Sequence, residues 1–78
     1  MKVENLTLNK LYKIVDINMD DILHSRLNDV GIFEGAIIRV IRKSLLAESF
    51  VLGVHGVQMA IRGELIKGVH FEEYNASR

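Results

Sequence analysis

Seventy-eight residues, 49% of them hydrophobic and 26% charged, suit one globular domain with one core and leave no room for a second. Cysteine is absent, which excludes disulfides, thiolate zinc sites and cysteine nucleophiles. Ten Lys and Arg balance ten Asp and Glu with the signs interspersed, so no field gathers a polyanion and nucleic acid is not an expected partner, while little repulsion opposes self-association into a homo-oligomer.

Along the chain, residues 11–18 place Tyr12, Ile14 and, after a break at Asp16, further apolar residues in alternation, which predicts a first strand. Residues 19–30 carry Leu23, Leu27 and Val30 at helical spacing with Asp20 and Asp21 in the first turn, and predict a short helix. Gly31 follows at once, where a left-handed helix-ending residue costs least without a side chain. After a second break at Gly35, residues 36–43 are rich in β-branched side chains and give the clearest strand. Residues 44–49 read as a connection, and residues 50–55 and 57–62 flank Gly56 as the arms of a hairpin. Residues 63–68 suit one helical or 3₁₀ turn. Residues 69–72 form a last strand that pairs with an early one, leaving 73–78 as a frayed tail.

Five short strands and one short helix must bury one face of the sheet, and with no long helix to cover it the sheet curls on itself. The expected fold is therefore mainly β, a small SH3-like barrel filling a single domain over 1–78 with its core at 6–72. No apolar run approaches the roughly 20 residues of a membrane span, and the first residues lack a signal-peptide stretch. A cytoplasmic location without membrane insertion is expected.

Strand geometry singles out a partner-binding candidate. If Ile38 and Val40 point inward, Ile37 and Ile41 point outward, and Val51 is outside if Phe50, Leu52 and Val54 fill the core. Such a patch favours an interface; the alternative is that the helix or a loop covers it.

Residues able to do chemistry are few and scattered. Asp20, Asp21 and His24 fall within one helical turn and could offer oxygen and nitrogen to a divalent ion such as iron, or simply cap the helix and neutralise its dipole. Too few ligands gather there for a metal site to be assigned, and no cofactor is expected. His55 and His70 lie on different predicted strands, which pairing could bring together. Arg62 could anchor a carboxylate, with Glu64 as a local mate. Four serines and three histidines are scattered without a nucleophile beside a base, so the chain is not expected to be an enzyme.

Two segments carry a family likeness. Residues 26–40, Arg26-Leu27-Asn28-Asp29-Val30-Gly31-Ile32-Phe33-Glu34-Gly35-Ala36-Ile37-Ile38-Arg39-Val40, resemble the glycine-punctuated signature of the FeoA family. Val54-His55-Gly56-Val57-Gln58-Met59-Ala60-Ile61-Arg62 resembles its second segment. In both, Arg26, Leu27, Gly31, Gly35, Gly56 and Arg62 stand at motif positions. The resemblance implies a small SH3-like barrel that assists FeoB, the membrane ferrous iron transporter. The same barrel resembles the C-terminal domain of DtxR-type metal-dependent repressors, so a metal-responsive regulatory role is the alternative. The sequence departs from the family at Asn9, which replaces a glycine before the first strand but tolerates left-handed backbone. It departs again at Leu45, in a loop where Ala-Pro is usual.

Overall fold

A computed structural model describes residues 1–46 and 48–75. One antiparallel sheet holds five strands: β1 (Leu11–Ile17), β2 (Ile37–Lys43), β3 (Ser49–Val54), β4 (Val57–Arg62) and β5 (Val69–Glu73), in the order β4-β3-β2-β1-β5. Helix α1 (Asp21–Asp29) connects β1 to β2, and the single turn α2 (Gly63–Ile66) connects β4 to β5, the two edges of the sheet. Two strands bend at β-bulges. Val15 is the extra residue where β1 passes β5, and Ile41 is the extra residue where β2 passes β3. Each bulge sharpens the twist and helps the sheet roll.

The inward faces carry Tyr12, Ile14, Ile38, Val40, Phe50, Leu52, Val54, Ile61, Val69 and Phe71, all buried. Among the described residues no polar or charged side chain other than the tyrosine is buried. The Tyr12 hydroxyl meets the Thr7 backbone N–H at 2.9 Å, so its one polar atom is satisfied at the barrel rim.

Most predicted elements lie where expected, with differences at the ends. The helix is shorter than 19–30: Asp20 is its N-cap, Met19 lies before it and packs partly against the core, and Val30 caps its C-terminus half exposed. The core reaches further towards the N-terminus than residue 6. A 3₁₀ turn (Val3–Asn5) buries Val3, and Met1 exchanges 2.8 Å hydrogen bonds with Phe71, its ammonium donating to the Phe71 carbonyl and its carbonyl accepting from the Phe71 N–H. Nor does the tail begin at 73. Glu73 pairs with Tyr12 on β1, and the Tyr74 N–H donates to the Leu11 carbonyl; residues 76–78 lie outside the described residues.

The hairpin turn has two residues, His55 and Gly56, both at positive φ (53° and 79°). That is the mirror-image turn whose twist matches the strands it joins. Glycine matters in another way at Gly68, which stands between α2 and β5. A Cβ there would come within 2.5 Å of the Asn18 carbonyl oxygen, while the Gly68 carbonyl accepts from the Asn18 N–H at 2.8 Å. Only a residue without a side chain lets the end of β1 and the start of β5 approach this closely.

Gly68→Ala should therefore destabilise the fold by about 2 kcal/mol or more, since backbone rather than a flexible side chain must yield. Gly35→Ala should cost about 1 kcal/mol, because its φ of 94° strains alanine but its surroundings are open. Denaturant melts of the two variants give the ranking.

Candidate functional site

Period-two geometry separates the two faces of β2. Ile38 and Val40 are buried, whereas Ile37 and Ile41 lie half-buried on the outside. Ile41 sits on the bulge and lies over Gly53 of β3, where an added Cβ would stand 3.2 Å from its Cδ1. Ile37 and Ile41 thus line one outer groove of about 320 Å³ with Leu11, Gly53 and Val57. Val51 points outward as well but sits further along β3, opposite Arg42 and Ala60, and does not line that groove. The extra residue Ile41 falls between the Val40–Leu52 and Arg42–Val51 pairs.

The Asp20, Asp21 and His24 turn has a local structural task. Asp20 Oδ1 accepts from the Leu23 N–H at 2.9 Å, which caps α1 and satisfies one of its free donors. Asp21 is exposed in the first turn, and the His24 N–H bonds back to the Asp20 carbonyl at 2.9 Å. Among the described residues, no three His, Asp or Glu side chains gather as a metal-binding group.

The histidines are not brought together. His55 is in the turn rather than on a strand and stacks on Phe33, with ring centroids 5.9 Å apart and planes at 25°. His70 is on β5 opposite Asp16, and β3 and β5 are not neighbours in the sheet. Arg62 Nη1 meets Glu64 Oε2 at 3.8 Å with both side chains mostly exposed, so this pair adds little stability. Of the motif residues, Leu27 is the buried anchor of α1, Arg26 is exposed beside it, and Gly31, Gly35 and Gly56 all hold positive φ.

Two features escaped the sequence reading. Leu45 and Leu46, in the turn between β2 and β3, are 98% and 74% exposed. An apolar cleft of about 280 Å³ separates α1 from the outer edge of β4, lined by Leu23, Arg26, Leu27, Val30, Met59 and Leu65 among others. The signal for the cleft was present as the uncharged stretch Val57-Gln58-Met59-Ala60-Ile61, but only the strand order shows that β4 is an edge.

A five-stranded antiparallel sheet rolled around one apolar core, with a short helix in the β1–β2 connection, is a small SH3-like barrel. The chain belongs to the FeoA family: the family model described as the FeoA domain matches residues 1–73, which ties the chain to ferrous iron transport. Domains of this family are accessory and regulatory rather than catalytic. Among solved structures, the chain is similar to the FeoA protein from Chlorobium tepidum, at 19% identity over 100% of this chain and 74% of that one, with a TM-score of 0.84. It is similar to an iron uptake regulatory protein (FeoA), at 20% identity over 95% of this chain and 97% of that one, with a TM-score of 0.84. The repressor ScaR with bound Zn²⁺ shares the fold at 16% identity and a TM-score of 0.83, over 95% of this chain but 37% of the repressor. No curated protein sequence matches the chain significantly. No helix among the described residues is long and apolar enough to cross a membrane.

The two faces of β2 should respond differently to substitution. Ile38→Ala is expected to cost about 2–4 kcal/mol of stability, as for truncating a buried aliphatic side chain. Ile41→Lys should cost no more than about 1 kcal/mol, because its ammonium can reach solvent from the rim of the groove. Thermal and denaturant melts decide between this register and one shifted by a residue.

Proposed function

We propose that this chain is a non-enzymatic accessory of bacterial ferrous iron uptake that works in the cytoplasm by binding FeoB and favouring one state of the transporter. The observation that carries the reading is the family match over residues 1–73, nearly the whole chain. The half-buried Ile37 and Ile41 on the outer face of β2 supply apolar surface for such a contact, at about 25 cal/mol per Å² covered. A bound partner shifts a conformational equilibrium only by its difference in affinity for the two states, so the accessory needs no chemistry of its own. Ferrous iron is the transporter's cargo in this reading, and Asp20, Asp21 and His24 serve the helix.

The likeness to ScaR supports a second reading, a barrel that answers to a metal in a regulatory protein. Metal binding separates the two. Anaerobic titration with ferrous iron should give no tight stoichiometric binding; a tight site lost in the double variant Asp21→Ala, His24→Ala would favour the regulatory reading.

The transporter reading is tested by pull-down with full-length FeoB and with its soluble GTPase domain. Binding to the full-length protein is expected, and Ile41→Lys should weaken it by about tenfold, since a charge enters an apolar contact. Retention of neither form of FeoB would overturn the accessory role.

A further inference from the structure

The two edges of the sheet are treated differently. The free edge of β5 is met by the chain itself, through the paired hydrogen bonds between Met1 and Phe71. Among the described residues nothing comparable meets β4. Val54 and Val57 close the two-residue turn, so Val57, Met59 and Ile61 exchange hydrogen bonds with β3. The N–H and C=O groups of Gln58 and Ala60 then point away from the sheet, and both residues are exposed.

Edge strands are usually blunted by charge, proline or a bulge. β4 contains no proline and one charged residue, Arg62 at its end, and the β3–β4 register runs without a shift, unlike the bulged pairings of β1 with β5 and β2 with β3. Beside this edge lies the cleft under α1, whose lining is apolar apart from Arg26. Among the described residues no carboxylate lies within ion-pair distance of Arg26.

We propose that β4 and α1 together form a docking site for an extended peptide segment with apolar side chains at alternate positions and a carboxylate near one end. The segment adds a strand antiparallel to β4, bonding to Gln58 and Ala60. Alternate side chains enter the cleft against Leu23, Leu27, Met59 and Leu65, and the carboxylate reaches Arg26. Main-chain bonding supplies affinity and the alternating pockets supply selectivity. A second copy of this chain fits less well, because its own β4 carries no carboxylate between 57 and 61 to meet Arg26. This inference does not depend on which protein carries the segment.

The test is an NMR titration of the isotope-labelled full chain with the blocked peptide acetyl-Glu-Val-Thr-Val-Thr-Val-amide. Saturable shifts at the Gln58 and Ala60 amides and along α1 from Leu23 to Leu27 are expected. Replacing the peptide's Glu with Lys should weaken binding by about fivefold or more, as loss of a charge-assisted contact, and N-methylation of alternate peptide amides should abolish it. In the protein, Ala60→Pro removes an N–H that faces away from β3, so it should leave folding nearly unchanged and reduce binding by about tenfold or more. If that variant does not fold, the N-methylated peptide on the unaltered protein makes the same distinction. The proposal is overturned by absence of shifts at millimolar peptide, by equal binding of the N-methylated peptide, or by shifts at Ile37, Ile41 and Gln58 with none at Ala60 or along α1. It is also overturned if the Gln58 and Ala60 shifts depend on protein concentration without peptide, which would make a second copy the occupant.

Discussion

Everything in this fold depends on a short bridge. In a flat antiparallel sheet the two edges of a five-stranded array stand about 19 Å apart, yet α2 and the two residues after it carry the chain from the end of β4 on one edge to the start of β5 on the other. The helical turn itself advances only about 6 Å. The edges meet that limit by rolling towards each other, and the bulges at Val15 and Ile41 supply the local bends. Rolling encloses the inward side chains and seats Ile66, fully buried, under the bridge. It also forces the contact between Gly68 and Asn18, where no side chain fits.

A barrel closed this way divides labour between its surfaces. Its interior is apolar among the described residues, which suits packing and leaves recognition to the outside. There the two bulges and the shortness of α1 create unlike surfaces: a groove over Gly53 beside Ile37 and Ile41, and a cleft between α1 and β4. A further depression has Glu4, Glu48, Arg62, Glu64 and Lys67 around it, and solvated charges of both signs offer less to a specific ligand than the apolar cleft beside β4. The stack of His55 on Phe33 fastens the β3–β4 turn to the loop that leads from α1 into β2, so the walls of the barrel are joined by side chains as well as by the ladder.

Much of this was legible in the sequence because the signals were local. Alternation in β2 assigned Ile38 and Val40 to the core and Ile37 and Ile41 to the outside, and Gly31 and Gly56 marked a helix end and a turn. The N-terminal 3₁₀ turn was not legible, since Val3 and Leu6 make too short a pattern to show periodicity and are buried only by long-range contacts. The candidate patch is divided in the structure, with Ile37 and Ile41 lining the groove and Val51 outside it. Side-chain direction places Val51 outside, but it pairs with Arg42 beyond the extra residue Ile41 and does not line the groove. His55 read as the end of a strand because a non-glycine residue at positive φ leaves no pattern in composition. The cleft beside β4 could not be read at all without strand order, which is a property of the whole chain.

The unequal treatment of the two edges also sets how this protein can fail. Fibre growth by strand addition needs two open edges on every subunit, one to join and one to extend. Here Met1 and the 3₁₀ turn occupy the middle of the β5 edge, and among the described residues β4 is the open one. A folded subunit of this kind has a pairing valence of one. Edge-to-edge contact between two copies consumes both open edges, and the assembly ends where it began.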